Sequence, residues 1–196
     1  MIVAALIVII MATWKDGRME LSKKLEAQRV PLDVLLDDLK KHDVHRVNGT
    51  AVFMTLSPIG IPSTLLHHLK HNKVLHEKIV LLSIQSVDVP YIQSLERIKT
   101  EKLEQSFFRI IARYGFMESP NVPDIMELSV KEGLPVDKGM ITYYLGRETL
   151  ITTGPSKMMR WRKSLFSFLS RNAQTPAYFF GIPPGSVVEI GTQVML

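Results

Sequence analysis

The sequence predicts an α/β fold with a mixed sheet, on three observations. Residues 46–56 (RVNGTAVFMTL) and 77–89 (EKIVLLSIQSVDV) are strand-like and flank a helical segment, the pattern of a β-α-β unit. Residues 96–102 and 106–116 read as two further strands around a turn at Leu103, Glu104 and Gln105, an antiparallel hairpin. The complete order β-α-β-β-β-α-β-α-β alternates elements as α/β domains do, and one such domain suits a chain of 196 residues.

Taken in order, residues 19–28 (MELSKKLEAQ) have helix-forming composition, and residues 31–41 carry Leu32, Leu35, Leu36 and Leu39 at helical spacing with Asp33, Asp37, Asp38 and Lys40 between them. In the first strand Val52, Phe53 and Met54 are the expected buried residues, and Ser57-Pro58-Ile59-Gly60-Ile61-Pro62 closes it as a loop. Ser63 is the expected N-cap of a helix over 64–74. The unbroken apolar run Ile79, Val80, Leu81, Leu82 marks a strand covered on both faces, which Pro90 ends.

Alternation through Phe108, Ile110 and Ala112 supports the second hairpin strand. Asn121 and Pro123 open a helix to Lys131, with Gly133 past its end. Residues 141–151 (ITYYLGRETLI) predict a strand interrupted at Gly146, residues 157–172 the strongest helix, and residues 186–196 a final alternating strand. On that helix Met158, Trp161, Leu165, Phe168 and Leu169 are expected to pack on the sheet. Lys157, Arg160, Lys163 and Arg171 form a basic outer face that also suits anionic lipid headgroups.

The chain opens on fourteen residues without a charge, MIVAALIVIIMATW, followed by Lys15-Asp16-Gly17-Arg18. At about 1.5 Å per residue this run covers roughly 21 Å, short of the roughly 30 Å hydrocarbon core of a bilayer. A signal peptide needs a basic segment before its apolar core, and none precedes Ile2. A buried core element would leave a polar face, and this run has none. The end of a transmembrane helix fits best, with Trp14 at the interface and Lys15, Arg18, Lys23 and Lys24 as positive-inside anchors. The expected organisation is therefore a truncated last membrane helix over 1–18, a juxtamembrane helical connector over 19–45 and a cytoplasmic α/β domain over 46–196. The protein is then placed at the cell membrane, Met1 need not be the native start, and residues after about 18 lie on the cytoplasmic side.

Charge and composition exclude several classes. The net charge of +5 sits at the ends: residues 15–29 hold five basic and three acidic groups, residues 30–150 fourteen and fifteen, residues 151–196 five and one. A nucleic-acid partner is not expected from a balanced body, and Arg113-Tyr114-Gly115-Phe116 reads as a packed strand, since a second aromatic RNA-binding strand motif is missing. With no cysteine there is neither a disulfide framework nor a thiol nucleophile. The chain lacks G-x-S-x-G, a P-loop and G-x-G-x-x-G, so neither an enzyme nor a cofactor is expected.

Among His67, His68, His71 and His76, the pair His67 and His71 shares a helix face as metal ligands do. A third ligand is not evident, so no metal is expected. Asn48-Gly49-Thr50 is a glycosylation sequon that stays unmodified on the cytoplasmic side. Arg147 and Glu148 are adjacent opposite charges that project to opposite faces of a strand; a structural ion pair satisfies them better than a ligand contact.

Six blocks carry a resemblance to a known family: residues 47–53 (VNGTAVF), 65–77 (LLHHLKHNKVLHE), 114–118 (YGFME), 144–150 (YLGRETL), 168–173 (FLSRNA) and 179–196 (FFGIPPGSVVEIGTQVML). In that order they closely resemble the carboxy-terminal part of Kup-type potassium uptake permeases, the KUP/HAK/KT family, and residues 1–18 resemble the end of that family's last membrane helix. The resemblance implies a proton-coupled potassium importer with its transport core in an upstream membrane domain. Potassium and protons are the transported ions, and this chain alone conducts neither. The family's ion-coordinating residues lie outside this chain and cannot be carried over. The family blocks assign no roles within the domain; His71, Asn72, Arg147 and Glu148 are nonetheless expected to help build a regulatory or dimer surface, in a homodimer. The alternative is a soluble nucleotide-binding sensor acting on a membrane partner, with an adenine nucleotide as effector. An independent enzyme ranks last.

Overall fold

The computed structural model describes residues 1–27, 29–42, 44–156 and 158–196. Gln28, expected to end the connector helix, and Lys157, expected to open the last long helix, lie outside the described residues. Among the described residues six α-helices and six strands follow one another as α1 (Ile2–Ala27), α2 (Leu32–Lys41), β1 (His45–Thr55), α3 (Ser63–Asn72), β2 (Val74–Val87), β3 (Ile98–Lys102), β4 (Phe107–Gly115), α4 (Val122–Lys131), β5 (Ile141–Ile151), α5 (Arg160–Arg171), the short α6 (Pro176–Phe179) and β6 (Val187–Met195). The chain packs as two compact units, one of Met1–Arg29, Arg147–Gln174 and Gly191–Leu196, the other of Val30–Gly146 and Thr175–Ile190.

The fold is α/β, with a six-stranded mixed sheet in the order β3-β4-β2-β1-β5-β6. The β-α-β unit is present: β1 and β2 run parallel, paired from His45 with Val74 to Thr55 with Ser83, and α3 makes the crossover. β4 pairs parallel with β2, β5 parallel with β1, and β3 antiparallel with β4, so the hairpin is also as expected. The strand register shifts between Val47 and Thr50, where Gly49 takes φ +103°, a left-handed conformation that favours glycine.

Side chains alternate across the sheet of the second unit and build two cores. Val52, Val80, Leu82, Ile110 and Ala112 face Val122, Ile125 and Met126 of α4. Ala51, Phe53, Ile79 and Leu81 face the leucine stripe of α2, in which Leu32, Leu35, Leu36 and Leu39 are all buried as their spacing predicts, together with Leu65 of α3. The run Ile79 to Leu82 is buried throughout, each side chain contributing about 1.5–3 kcal/mol. Met54 is only half-buried, at the point where β1 runs out. Tyr114 packs in the core under α4 with the Arg97 guanidinium 4.8 Å above its ring, whereas its neighbours Arg113 and Phe116 are exposed.

Several boundaries differ from expectation, each for a local reason. Ser63 is the first helical residue and not the cap: Pro62 takes the extended capping conformation, and its carbonyl accepts from Leu65 N at 3.0 Å. α3 stops at Asn72 because Lys73 turns left-handed at φ 56°, and β2 begins at once at Val74, three residues before the expected start. β3 starts at Ile98 after a 3₁₀ turn over Ser94–Glu96. Asn121 caps α4, its Oδ1 accepting from Asp124 N at 3.1 Å. β5 passes unbroken through Gly146.

In the first unit, α1 runs 26 residues without a break, apolar in its first half and charged in its second. Among the described residues no helix is long and apolar enough to cross a membrane. Its core is Leu21, Met158, Phe166, Val194 and Leu196. Gly17 gives Phe166 its place, since a Cβ there would fall 2.4 Å from the ring. The expected packing face of α5 is corrected. Phe166 is fully buried and Lys163 and Ser167 are buried beside it, whereas Trp161 and Phe168 are exposed. Lys163, expected on the outer basic face, instead donates inward to the carbonyls of Gly154 at 2.5 Å and Leu196 at 2.9 Å.

Candidate functional site

The second unit gathers two histidines and two aromatic rings from α3, β1, β2 and β5. α3 turns the face carrying Leu65 and His68 inward, and the left-handed stop at Lys73 puts His76 in the third position of β2. There it pairs in register with Val47 of β1. β5 joins the other side of β1 with Tyr144 opposite Phe53, and those two rings stack at 4.7 Å between centroids, 16° between planes. His68 meets this stack edge-on, 4.8 Å from Tyr144 and 5.8 Å from Phe53. The His76 ring lies 5.9 Å from His68 and 5.8 Å from Tyr144.

His68 is 4% exposed. Asn72, one turn on, places its Nδ2 2.9 Å from His68 Nδ1; with the amide donating, the neutral ring carries its proton on Nε2. Among the described residues His68 Nε2 and His76 Nδ1 have no hydrogen-bond partner, although both are shut off from solvent. Burial holds the pKa of both rings below the ordinary 6.5, and the neighbouring His76 lowers that of His68 further. Both are therefore neutral at pH 7 and acquire charge only in a poorly solvated place. Arg46 closes the edge, donating from Nη1 to the His76 carbonyl at 3.0 Å and from Nη2 to that of Gln105 at 3.1 Å.

Two imidazoles whose charged form is disfavoured by burial thus pack against two aromatic faces. Among the described residues no group of three or more His, Asp or Glu stands together to hold a metal ion. His67 and His71, the pair with ligand spacing, stack their rings at 5.9 Å on the outer side of α3.

The four residues singled out in the sequence fall into two pairs. His71 and Asn72 end α3, His71 exposed and Asn72 engaged with His68. Arg147 and Glu148 occupy successive positions of β5 in the other unit, Arg147 exposed and Glu148 half-buried. What sequence reasoning missed is the pair His68 and His76. Their meeting depends on where α3 stops, and no residue type at 73 announces it.

A separate cleft of about 630 Å³ lies between α2 and the β3–β4 turn, lined by Asp33, Asp37, Lys40, Glu101, Glu104 and Arg109 among others. Lys40 is engaged by Glu104 at 2.6 Å, and Arg109 by Glu101 at 2.9 Å.

Residues 48–196 match the family described as the K+ potassium transporter C-terminal domain. The chain belongs to this family. It is 51% identical over 194 residues to a protein named probable potassium transport system protein Kup 2 of Syntrophobacter fumaroxidans, covering 99% of this chain and 30% of that protein. It is 53% identical over 192 residues to Kup 1 of the same organism, covering 98% and 29%, and 47% identical over 196 residues to Kup of Myxococcus xanthus, covering 100% and 30%. No solved structure matches the chain. The chain thus spans about 30% of the length of these relatives. The Kup-type resemblance of the six blocks is correct, and the histidine block 65–77 supplies both rings of the buried cluster in this potassium transporter C-terminal domain.

Proposed function

We propose that this chain is the cytoplasmic regulatory and assembly part of a proton-coupled potassium uptake transporter, working on a membrane transport domain that lies upstream of it. The observation that carries this reading is the match of residues 48–196 to a potassium transporter C-terminal domain, together with relatives named as potassium transport proteins. The apolar opening of α1, with its charged second half, supports the placement at the cell membrane with residues after about 18 on the cytoplasmic side. Potassium and protons are the transported ions of the whole protein, and this chain moves neither by itself.

His71, Asn72, Arg147 and Glu148 are proposed to act at a regulatory or dimer surface. Asn72 is the best placed, because it orients His68 and so connects the end of α3 with the buried cluster. The nucleotide-sensor alternative finds less support in the cleft beside α2, where Lys40 and Arg109 are each already held by a carboxylate.

Grafting this chain in place of the corresponding part of Kup 1 of Syntrophobacter fumaroxidans tests the reading. Potassium uptake in cells lacking their own importers is expected to be retained. A chimera that inserts in the membrane but takes up no potassium would contradict it. Single alanine substitutions of the four residues in that chimera follow. Uptake, assembly and effector response unchanged in all four would remove their proposed role.

A further inference from the structure

In the first unit, α5 is inverted for a helix of a soluble domain. Its inner side carries Lys163, Phe166 and Ser167, and its outer side carries Trp161, 52% exposed, and Phe168, 59% exposed. Trp161 and Phe168 are seven residues apart, two helical turns, so they share one outward stripe, and Met159 stands exposed just before it. Arg160 and Arg171, both exposed, flank this stripe at either end. The phase is fixed from inside: Phe166 fills the gap at Gly17 and meets Trp14 at 5.6 Å, and Lys163 is tied to two carbonyls. The aromatic stripe therefore has no path into this core.

Two observations select what covers it. Arg162 donates from Nε to Thr13 Oγ1 at 3.1 Å and pairs from Nη2 with Asp16 at 2.8 Å, which fastens the start of α5 to α1 where the apolar run 1–14 gives way to charge. The apolar residues of α1 before that point, Ile2 to Met11, are exposed as well, so the same unit carries two exposed apolar segments. Charge is also partitioned: this unit holds eleven basic and four acidic side chains, a net of +7, against thirteen and fifteen, a net of −2, in the other.

An exposed tryptophan between arginines, beside the end of an apolar helix and in the positively charged unit, has the chemistry of a bilayer interface. The indole and phenyl rings favour the boundary between acyl chains and headgroups, and guanidinium groups favour anionic phosphates. We infer that α5 lies in the membrane–water interface of an anionic phospholipid bilayer, with Trp161 and Phe168 inserted among the acyl chains and Arg160 and Arg171 on lipid phosphates. The inference rests on the proposed membrane placement of α1 and adds a second lipid contact to it.

Trp14 and Trp161 are the two tryptophans of the chain, so Trp14→Phe leaves Trp161 as the sole reporter. The variant is mixed with vesicles of phosphatidylcholine and phosphatidylglycerol whose acyl chains carry bromine. The expected result is a blue shift with at least about a two-fold loss of emission, weakened when salt is raised. Because Trp14 packs on Phe166, the same question is put to the unaltered chain labelled with 5-fluorotryptophan. The Trp161 resonance, assigned with Trp161→Phe, is expected to broaden with spin-labelled lipid. A chain that binds vesicles while Trp161 stays open to aqueous quenchers overturns this inference alone. A chain that binds no vesicles overturns the membrane placement with it. Burial of Trp161 that rises with protein concentration in the absence of lipid shows the stripe to be covered by a second copy, and overturns the inference too.

Discussion

Asn72 Nδ2 lies 2.9 Å from His68 Nδ1, and this contact leaves the opposite ring nitrogen, His68 Nε2, buried and without a partner among the described residues. A pH dependence follows. Both His68 and His76 are held below their ordinary pKa of 6.5 by burial, so between the folded and unfolded values the unfolded chain binds more protons. Stability contributed by the neutral pair is whole above about pH 6.5 and is lost as pH falls from there through the lower folded-state values. Urea unfolding at several pH values is expected to show this decline, and His68→Gln to flatten it. Asn72→Ala is expected to cost about 1 kcal/mol at pH 7, the worth of the hydrogen bond to the ring.

Lys163→Ala is expected to destabilise the first unit by about 1–3 kcal/mol, because the carbonyls of Gly154 and Leu196 lose their buried donor. Lys163→Arg is expected to rescue poorly, since the wider guanidinium does not fit the space of an ammonium. Thermal melts of the two variants against the parent chain decide it.

Gly17→Ala puts a methyl group into the ring of the fully buried Phe166. Overpacking of this kind costs about 1–3 kcal/mol. Phe166→Leu in the same chain is expected to recover part of the loss, which a double-mutant cycle measures as a coupling between the two positions.

Adenine nucleotides are expected to leave the melting temperature unchanged at saturating concentration. A real effector at one hundred times its dissociation constant would add about 2.7 kcal/mol, well within reach of a thermal-shift experiment. Saturable stabilisation would restore the sensor alternative and direct attention to Arg109 in the cleft.

Legibility in the sequence followed the reach of the forces involved. The leucine stripe of α2, the apolar run Ile79 to Leu82 and the turn between β3 and β4 are local patterns, and each formed the expected element. Gly146 was expected to interrupt β5, yet the strand runs through it. The phase of α5 was not legible, because it is set by Gly17 and Leu196, distant in sequence, which claim Phe166 and Lys163. The apolar moment of the helix alone pointed to Trp161 and Phe168, which the fold leaves outside. Likewise His71 and Asn72 were visible as polar residues at a helix end, but the cluster behind them was hidden: His68 and His76 come together only because Lys73 turns left-handed and starts β2 early.

Potassium uptake by the whole transporter, with this chain intact or removed after Arg18, tests the proposed regulatory and assembly role most directly. Rubidium influx and the oligomeric state would be measured side by side in the same membranes. The expected result is a truncated protein that still inserts in the membrane, with an altered influx rate and loss of the proposed dimer. Influx, response to external pH and assembly all equal to those of the intact transporter would contradict it.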